Sequence, residues 1–176
     1  MDGVNASLSL ASAVPGLGLA SASIKLGLRR VLKPLGGNTD LKWIKQAGGT
    51  ISFGSGGSTQ LRAILGITDF NIHAHHIIPQ EFAGHPLVQK AAGIENLNSA
   101  FHMNQAKNGF KLPKAIHQKG HDIYNTTVGG KLDILNTQSP TPEIANEKLS
   151  EFMQELDGLL RNNPSLGLNQ IAELIN

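Results

Sequence analysis

The chain of 176 residues contains no cysteine. That absence excludes a disulfide framework, a thiolate nucleophile, an iron–sulfur cluster and every zinc site built on sulfur ligands, so any metal must sit on His, Asp, Glu or Asn. Aromatic residues are scarce, at 5% with one Trp and one Tyr, which leaves Leu, Ile, Val and Ala to build the core. Charged residues make up only 16%, and a formal net charge of +2 is too small to point to nucleic acid by itself. Its distribution says more: residues 1–66 carry seven basic and two acidic side chains, 67–137 six and five, and 138–176 two and six. A hydrophobic share of 40% over this length fits one compact domain and argues against disorder throughout.

A long hydrophobic run is also missing. Gly3 to Ile24 is uncharged for 22 residues, but Pro15, Gly16 and Gly18 interrupt it and Ser is frequent. It lacks the basic start and Leu-rich centre of a secretory signal, which argues against export by that route, and reads as a small-residue helical hairpin or linker. The Ala/Ser/Gly/Leu tract of residues 5–35 ends at Arg29-Arg30 and Pro34-Leu35-Gly36-Gly37, a natural boundary. A second Gly-rich stretch, Gly48 to Ser58, lacks the Lys and the helix pattern of a phosphate-binding loop and reads as loop or linker. The expected organisation is a low-complexity, partly helical linker region over 1–66 followed by one domain over 67–176.

All seven histidines fall between Ile67 and His121. Residues 71–78 read as a short strand closed by Pro79, and His85-Pro86 opens a short helix to Ala92. Phe110-Lys111-Leu112 alternates like a strand between Asn108-Gly109 and Pro113, and Lys114 to Tyr124 has helical spacing despite Gly120. Thr141 as N-cap and Pro142 at the first position start a helix whose Leu149, Phe152, Met153, Leu156, Leu159 and Leu160 form one stripe. Asn163-Pro164 stops it, and Leu168, Ile171, Leu174 and Ile175 form a last amphipathic piece.

The chemistry starts from imidazoles. His117 and His121 lie four apart, on one face if helical, which makes a two-pronged metal clamp. His75 is the natural third ligand, because three neutral imidazoles leave open positions on a divalent cation, as a catalytic site requires. Strand alternation sends His76 to the opposite face from His75, so His76 is left over as a candidate general base for an attacking water. Ligand and base must be neutral, so activity should decline below about pH 6. Lys107, Lys111, Lys114 and Lys119, with no acid among them, would supply salt-sensitive, sequence-independent phosphate contacts. Glu81 is a candidate to orient His76, and Asp122 a carboxylate behind the metal ligands. His85 reads as a helix-start residue, while His73 and His102 read as surface or packing residues.

Ala74-His75-His76-Ile77-Ile78-Pro79, Asn108-Gly109-Phe110-Lys111-Leu112-Pro113 and His117-x3-His121-x2-Tyr124-Asn125 together resemble the AHH family of HNH, or His-Me finger, nucleases, over residues 73 to about 160. The resemblance implies an α+β fold with a ββα-metal core, a hairpin with a long connecting loop packed on a helix, and mostly helical N- and C-terminal additions. By position it makes His75, His117 and His121 the metal ligands, His76 the base, and Asn108 the residue that braces the loop, while Tyr124 and Asn125 match just beyond the second helix ligand. It implies hydrolysis that leaves 5′-phosphate and 3′-hydroxyl ends, with Mg²⁺ or Mn²⁺ as working metal, although three imidazoles favour Zn²⁺ or Ni²⁺ as bound. Such modules typically form the toxin ends of bacterial polymorphic toxins, and Pro15-Gly16-Leu17-Gly18 resembles a pre-toxin region. DNA, or RNA, is then the substrate, a cognate immunity protein the expected partner, and delivery into a target cell's cytoplasm, for example by type VI secretion, the expected route.

Two rival readings bear on the same residues. A zinc peptidase is disfavoured because Gln118 stands where the H-E-x-x-H pattern needs its Glu, and Gln cannot serve as general base. A noncatalytic module stapled by metal, binding nucleic acid or a partner protein, stays open; such a module has no use for His76.

Overall fold

The computed structural model describes residues 24–175. The expected hairpin or linker at 3–24 and the pre-toxin resemblance at 15–18 lie outside the described residues, apart from Ile24 at the start of the first strand. The stretch read as linker carries regular structure instead. Strand β1 (Ile24–Leu32) pairs antiparallel with β2 (Asn38–Lys45), and β2 with the short β3 (Ile51–Ser52). Pro34 to Gly37, read as a boundary, is the β1–β2 turn, closed by Lys33 N–H to the Gly37 carbonyl at 3.0 Å. Burial explains why composition misled: Leu41, Trp43, Ile51 and Phe53 point inward, whereas Leu26, Leu28 and Leu32 of β1 are exposed, so the apolar residues of this Gly-rich region do not separate buried strand from linker.

Helix α1 (Gly57–Ile64) leads into β4 (Ile72–His76), which pairs antiparallel with β5 (Gly109–Pro113). The long connection between them holds α2 (Pro86–Ala92), flanked by single turns of 3₁₀ helix at Gln80–Gly84 and Ala106–Asn108. As expected, His85 caps α2, its Nδ1 accepting the Leu87 N–H, and Pro86 takes the first position. Helix α5 (Pro142–Asn162) starts at the Thr141 cap and buries the predicted stripe, with Leu159 only partly covered; α6 (Leu168–Ala172) buries Leu168 and Ile171 while Leu174 is exposed.

The expected helix over Lys114–Tyr124 is broken. Helix α3 (Lys114–His117) ends after one turn, Gly120 turns the chain at φ +93°, and α4 (Asp122–Thr137) begins afresh. A positive φ is open to Gly at little cost, so the residue that weakened the helical pattern is the one that ends it. The first turn of α4 is capped from a distance: Asn169 Oδ1 on α6 accepts the Ile123 and Tyr124 N–H groups at 3.1 and 3.2 Å, and its Nδ2 donates to Asp122 at 2.8 Å.

One core joins all these elements. Leu41 and Trp43 of β2 are buried in the same cluster as Val88 of α2, Tyr124 and Val128 of α4 and Leu149 and Phe152 of α5, and the Trp43 indole N–H donates to the Phe101 carbonyl at 2.8 Å. The expected α+β class holds, with β4, β5 and α4 as its ββα unit; the described N-terminal part adds a sheet and one helix, whereas the C-terminal addition is helical.

Candidate active site

The β4–β5 register sets the site. His75 pairs with Phe110 and His76 with Gly109, so the two histidines leave the ladder on opposite faces. Gly109 admits α1 against the hairpin: a Cβ there would stand 2.7 Å from Leu61 Cδ1. Asn108 sits at the hairpin mouth. Fully buried, it accepts the Ile77 N–H with its backbone carbonyl and the Ile78 N–H with Oδ1 at 2.7 Å, and its Nδ2 donates to the Met103 carbonyl at 2.9 Å.

On one face three imidazoles gather. The His75 ring centroid lies 5.4 Å from that of His117, and His117 stacks on His121 at 5.6 Å. The pairing of His117 with His121 therefore survives the broken helix, but through the turn at Gly120 rather than one helical face. His73, read as a surface or packing residue, belongs here too: its Nδ1 is 3.2 Å from His117 Nδ1. The Tyr124 ring closes the far side of His75 at 5.6 Å, and its buried hydroxyl donates to the Ile77 carbonyl at 2.8 Å, so Tyr124 holds the end of β4. Burial pushes the Tyr124 hydroxyl above the ordinary phenol range.

On the other face His76 Nε2 meets Asn104 Oδ1 at 2.9 Å. This is where the expectation for Glu81 fails: among the described residues the ring's hydrogen-bond partner is Asn104, while Glu81 is exposed along a groove with Asp122, Asn125 and Asp133. A 28-residue separation within an irregular loop gave Asn104 no sequence signal. Asp122 is exposed and bound to Asn169, whose hydrogen bond holds its carboxyl below the usual range. Of the lysines, all exposed, Lys107 lines a groove with Asp157 and Arg161 of α5, Lys111 one with Phe110 and Leu160, and Lys119 packs by Gly167. His102 is a packing residue, fully buried against Trp43 and Phe53.

Electrostatics keeps these rings neutral. Burial, joined by the neighbouring His117, His76 and His121, lowers His75 to about 3. Burial lowers His76, partly offset by the Asn104 bond, and burial with His73 and His121 lowers His117. His75, His76 and His117 thus favour the neutral ring at pH values where free imidazole is half protonated.

The family model of AHH, a nuclease family of the HNH/ENDO VII superfamily with conserved AHH, matches residues 66–162. The chain belongs to the AHH family. Its nuclease assignment therefore rests on the matched segment that contains β4, β5, α4 and every histidine above. No curated protein and no solved structure matches the chain.

HNH-superfamily nucleases typically use a divalent metal, and the AHH residues can be tested for it. Among the described residues no three His, Asp or Glu side chains stand at coordinating distances of one point. The donor chemistry nevertheless fits a cation: His75 Nε2 is buried with no hydrogen-bond partner, an uncommon state for a polar atom, beside the rings of His117 and His121.

Proposed function

We propose that the chain is a metal-dependent endonuclease acting on DNA as the toxin module of a bacterial effector. The observation that carries the metal-dependent part is the unpartnered, buried Nε2 of His75, held neutral beside His117 and His121, with His76 on the opposite side of the same strand end. His75, His117 and His121 would hold one divalent cation, Mg²⁺ or Mn²⁺ in activity with Zn²⁺ or Ni²⁺ possible as bound. When bound it supplies charge stabilisation for the pentacovalent transition state and the leaving 3′ oxygen.

The chain's own residues do the rest. His76, neutral and anchored by Asn104, accepts a proton from the water that attacks phosphorus; the P–O3′ bond breaks, the leaving 3′ oxygen takes a proton from solvent, and a 5′-phosphate and a 3′-hydroxyl remain. Asn108 and Tyr124 fix the backbone on either side of Ile77, so the base approaches from a rigid strand end. Lys107, Lys111, Lys114 and Lys119 supply phosphate contacts from the exposed surface. A toxin of this type requires a cognate immunity protein in the producing cell, acidic where it covers basic surface, and delivery into a neighbour's cytoplasm, for example by type VI secretion. RNA is the alternative substrate, and a noncatalytic binding module the alternative function.

Purified protein incubated with plasmid DNA and with total RNA, in Mg²⁺, Mn²⁺ or Zn²⁺ against a chelator, tests the reading. Cleavage of the plasmid, lost with chelator, is expected. His76→Ala should lower the rate by about 10²-fold or more with unchanged metal stoichiometry, whereas His117→Ala and His121→Ala should lose metal and melt earlier. Full activity in His76→Ala would remove the base; unchanged metal content in both ligand variants would remove the site.

A further inference from the structure

We propose that Gln60 and Asn104 are positioning residues that fix which ring nitrogen of His76 carries the proton, and that the N-terminal sheet, outside the AHH-matched segment, sets this through them.

The assignment follows from one backbone group. The Asp40 carbonyl on β2 can only accept, so the Gln60 atom 3.0 Å from it is the amide nitrogen Nε2, which also reaches Thr39 Oγ1 at 3.1 Å. Gln60 Oε1 then faces away from the sheet and lies 2.8 Å from Asn104, whose contacting atom must be the donor Nδ2. With Nδ2 committed to Gln60, Asn104 can present only Oδ1 to His76, and the ring nitrogen 2.9 Å from it, Nε2, must bear the hydrogen. The lone pair is left on Nδ1.

A second arm fixes Asn104 from its backbone. The Asn104 N–H donates to His102 Nδ1 at 3.0 Å, and His102 Nε2 donates to the Lys42 carbonyl at 3.2 Å. Both arms end on β2 carbonyls two residues apart, at 40 and 42. Asn104 is 2% exposed and His76 8%, so water is a poor substitute for either bond. In water the two neutral tautomers of imidazole lie close in free energy, and a base with its proton on the wrong nitrogen is silent; the orientation of one buried amide therefore decides whether His76 works.

This rests on reading His76 as the base, but its test does not need substrate. In the full metal-free chain at neutral pH, two-bond ¹H–¹⁵N correlations of the His76 ring report the tautomer directly. The wild type is expected to show the Nε2–H pattern. Gln60→Met frees the Asn104 amide to flip and offer Nδ2, so the spectrum should become a mixture and kcat should fall in proportion to the Nε2–H fraction that remains, about twofold for an even mixture, with KM and metal stoichiometry unchanged. Gln60→Glu disrupts the contact with the Asp40 carbonyl as much, yet keeps an acceptor opposite Asn104 Nδ2, and should retain the Nε2–H pattern. A merely structural role would make Glu no better than Met. A wild-type spectrum with the proton on Nδ1 overturns the proposal even if no variant folds, and so does an unchanged spectrum in Gln60→Met. Normal cleavage by His76→Ala together with the expected spectra would instead sink the base assignment and leave the tautomer control standing.

Discussion

His75 and His76 are neighbours in the chain with opposite surroundings, because strand alternation turns one ring toward His117 and Tyr124 and the other toward Asn104. Burial lowers the affinity of both for protons, which shifts the expected pH limit. The acid limb of a pH–rate profile should lie below the free imidazole value of about 6.5, since the neutral base persists to lower pH when its charged form is disfavoured; a limb at or above the free value would contradict the burial of His76. His102 makes the corresponding prediction for stability. Its folded value is lowered to about 4 by burial, and both ring nitrogens are already committed as one acceptor and one donor. The unfolded chain binds the proton first, so stability is fully present above about pH 6.5 and declines as pH falls toward about 4, by on the order of 3 kcal/mol. Urea unfolding of wild type and His102→Gln at about pH 7.5 and pH 5 checks this: the acid-induced drop should be smaller in the variant.

At the scale of elements, the ββα unit is assembled by contacts between distant segments. Residues 71–78, 110–112 and 142–162 announced their strands and helix through alternation, Pro placement and an apolar stripe, and the structure has them there. The 114–124 stretch carried a helical spacing that backbone geometry at Gly120 overrides, so His117 and His121 meet across a turn. What holds that turn is Asn169, whose amide caps α4 from α6, 45 residues and more from the groups it binds. Asn169→Ala should cost about 1 kcal/mol, a loss of roughly 2–4 °C in Tm, and should weaken metal uptake because His121 sits at the uncapped end. Calorimetry with and without metal measures both; an unchanged Tm would mean the cap contributes nothing.

Across the whole molecule, the matched segment depends on what precedes it. Phe101, Met103 and Val88 share their cluster with Leu41, Trp43, Ile51 and Phe53, and the Arg29 guanidinium donates to the Leu97 and Asn98 carbonyls while lying 5.3 Å from the Trp43 ring centroid. A fragment of residues 67–176 should therefore lack cooperative unfolding and cleave nothing, since removing Trp43 alone is worth about 3–5 kcal/mol, a large part of the stability of a domain this size. Near-ultraviolet circular dichroism and a thermal scan of the fragment test this, and a sharp native-like transition would show that the sheet is dispensable.

Residue types and their order marked out the candidate site: imidazoles without thiols, a His-His strand end closed by Pro79 and two further imidazoles downstream were legible because local periodicity and turn residues act over a few positions, while the bracing role of Asn108 was implied by the family resemblance. Only the tertiary structure decided which groups support them. Asn104 rather than Glu81 meets His76, His73 joins His117, Asn169 caps α4, and β2 backs the site through Gln60 and His102. These partners lie tens of residues apart in the chain, and a hydrogen bond across such a distance exists only once burial has fixed both ends, so it leaves no pattern in the local sequence.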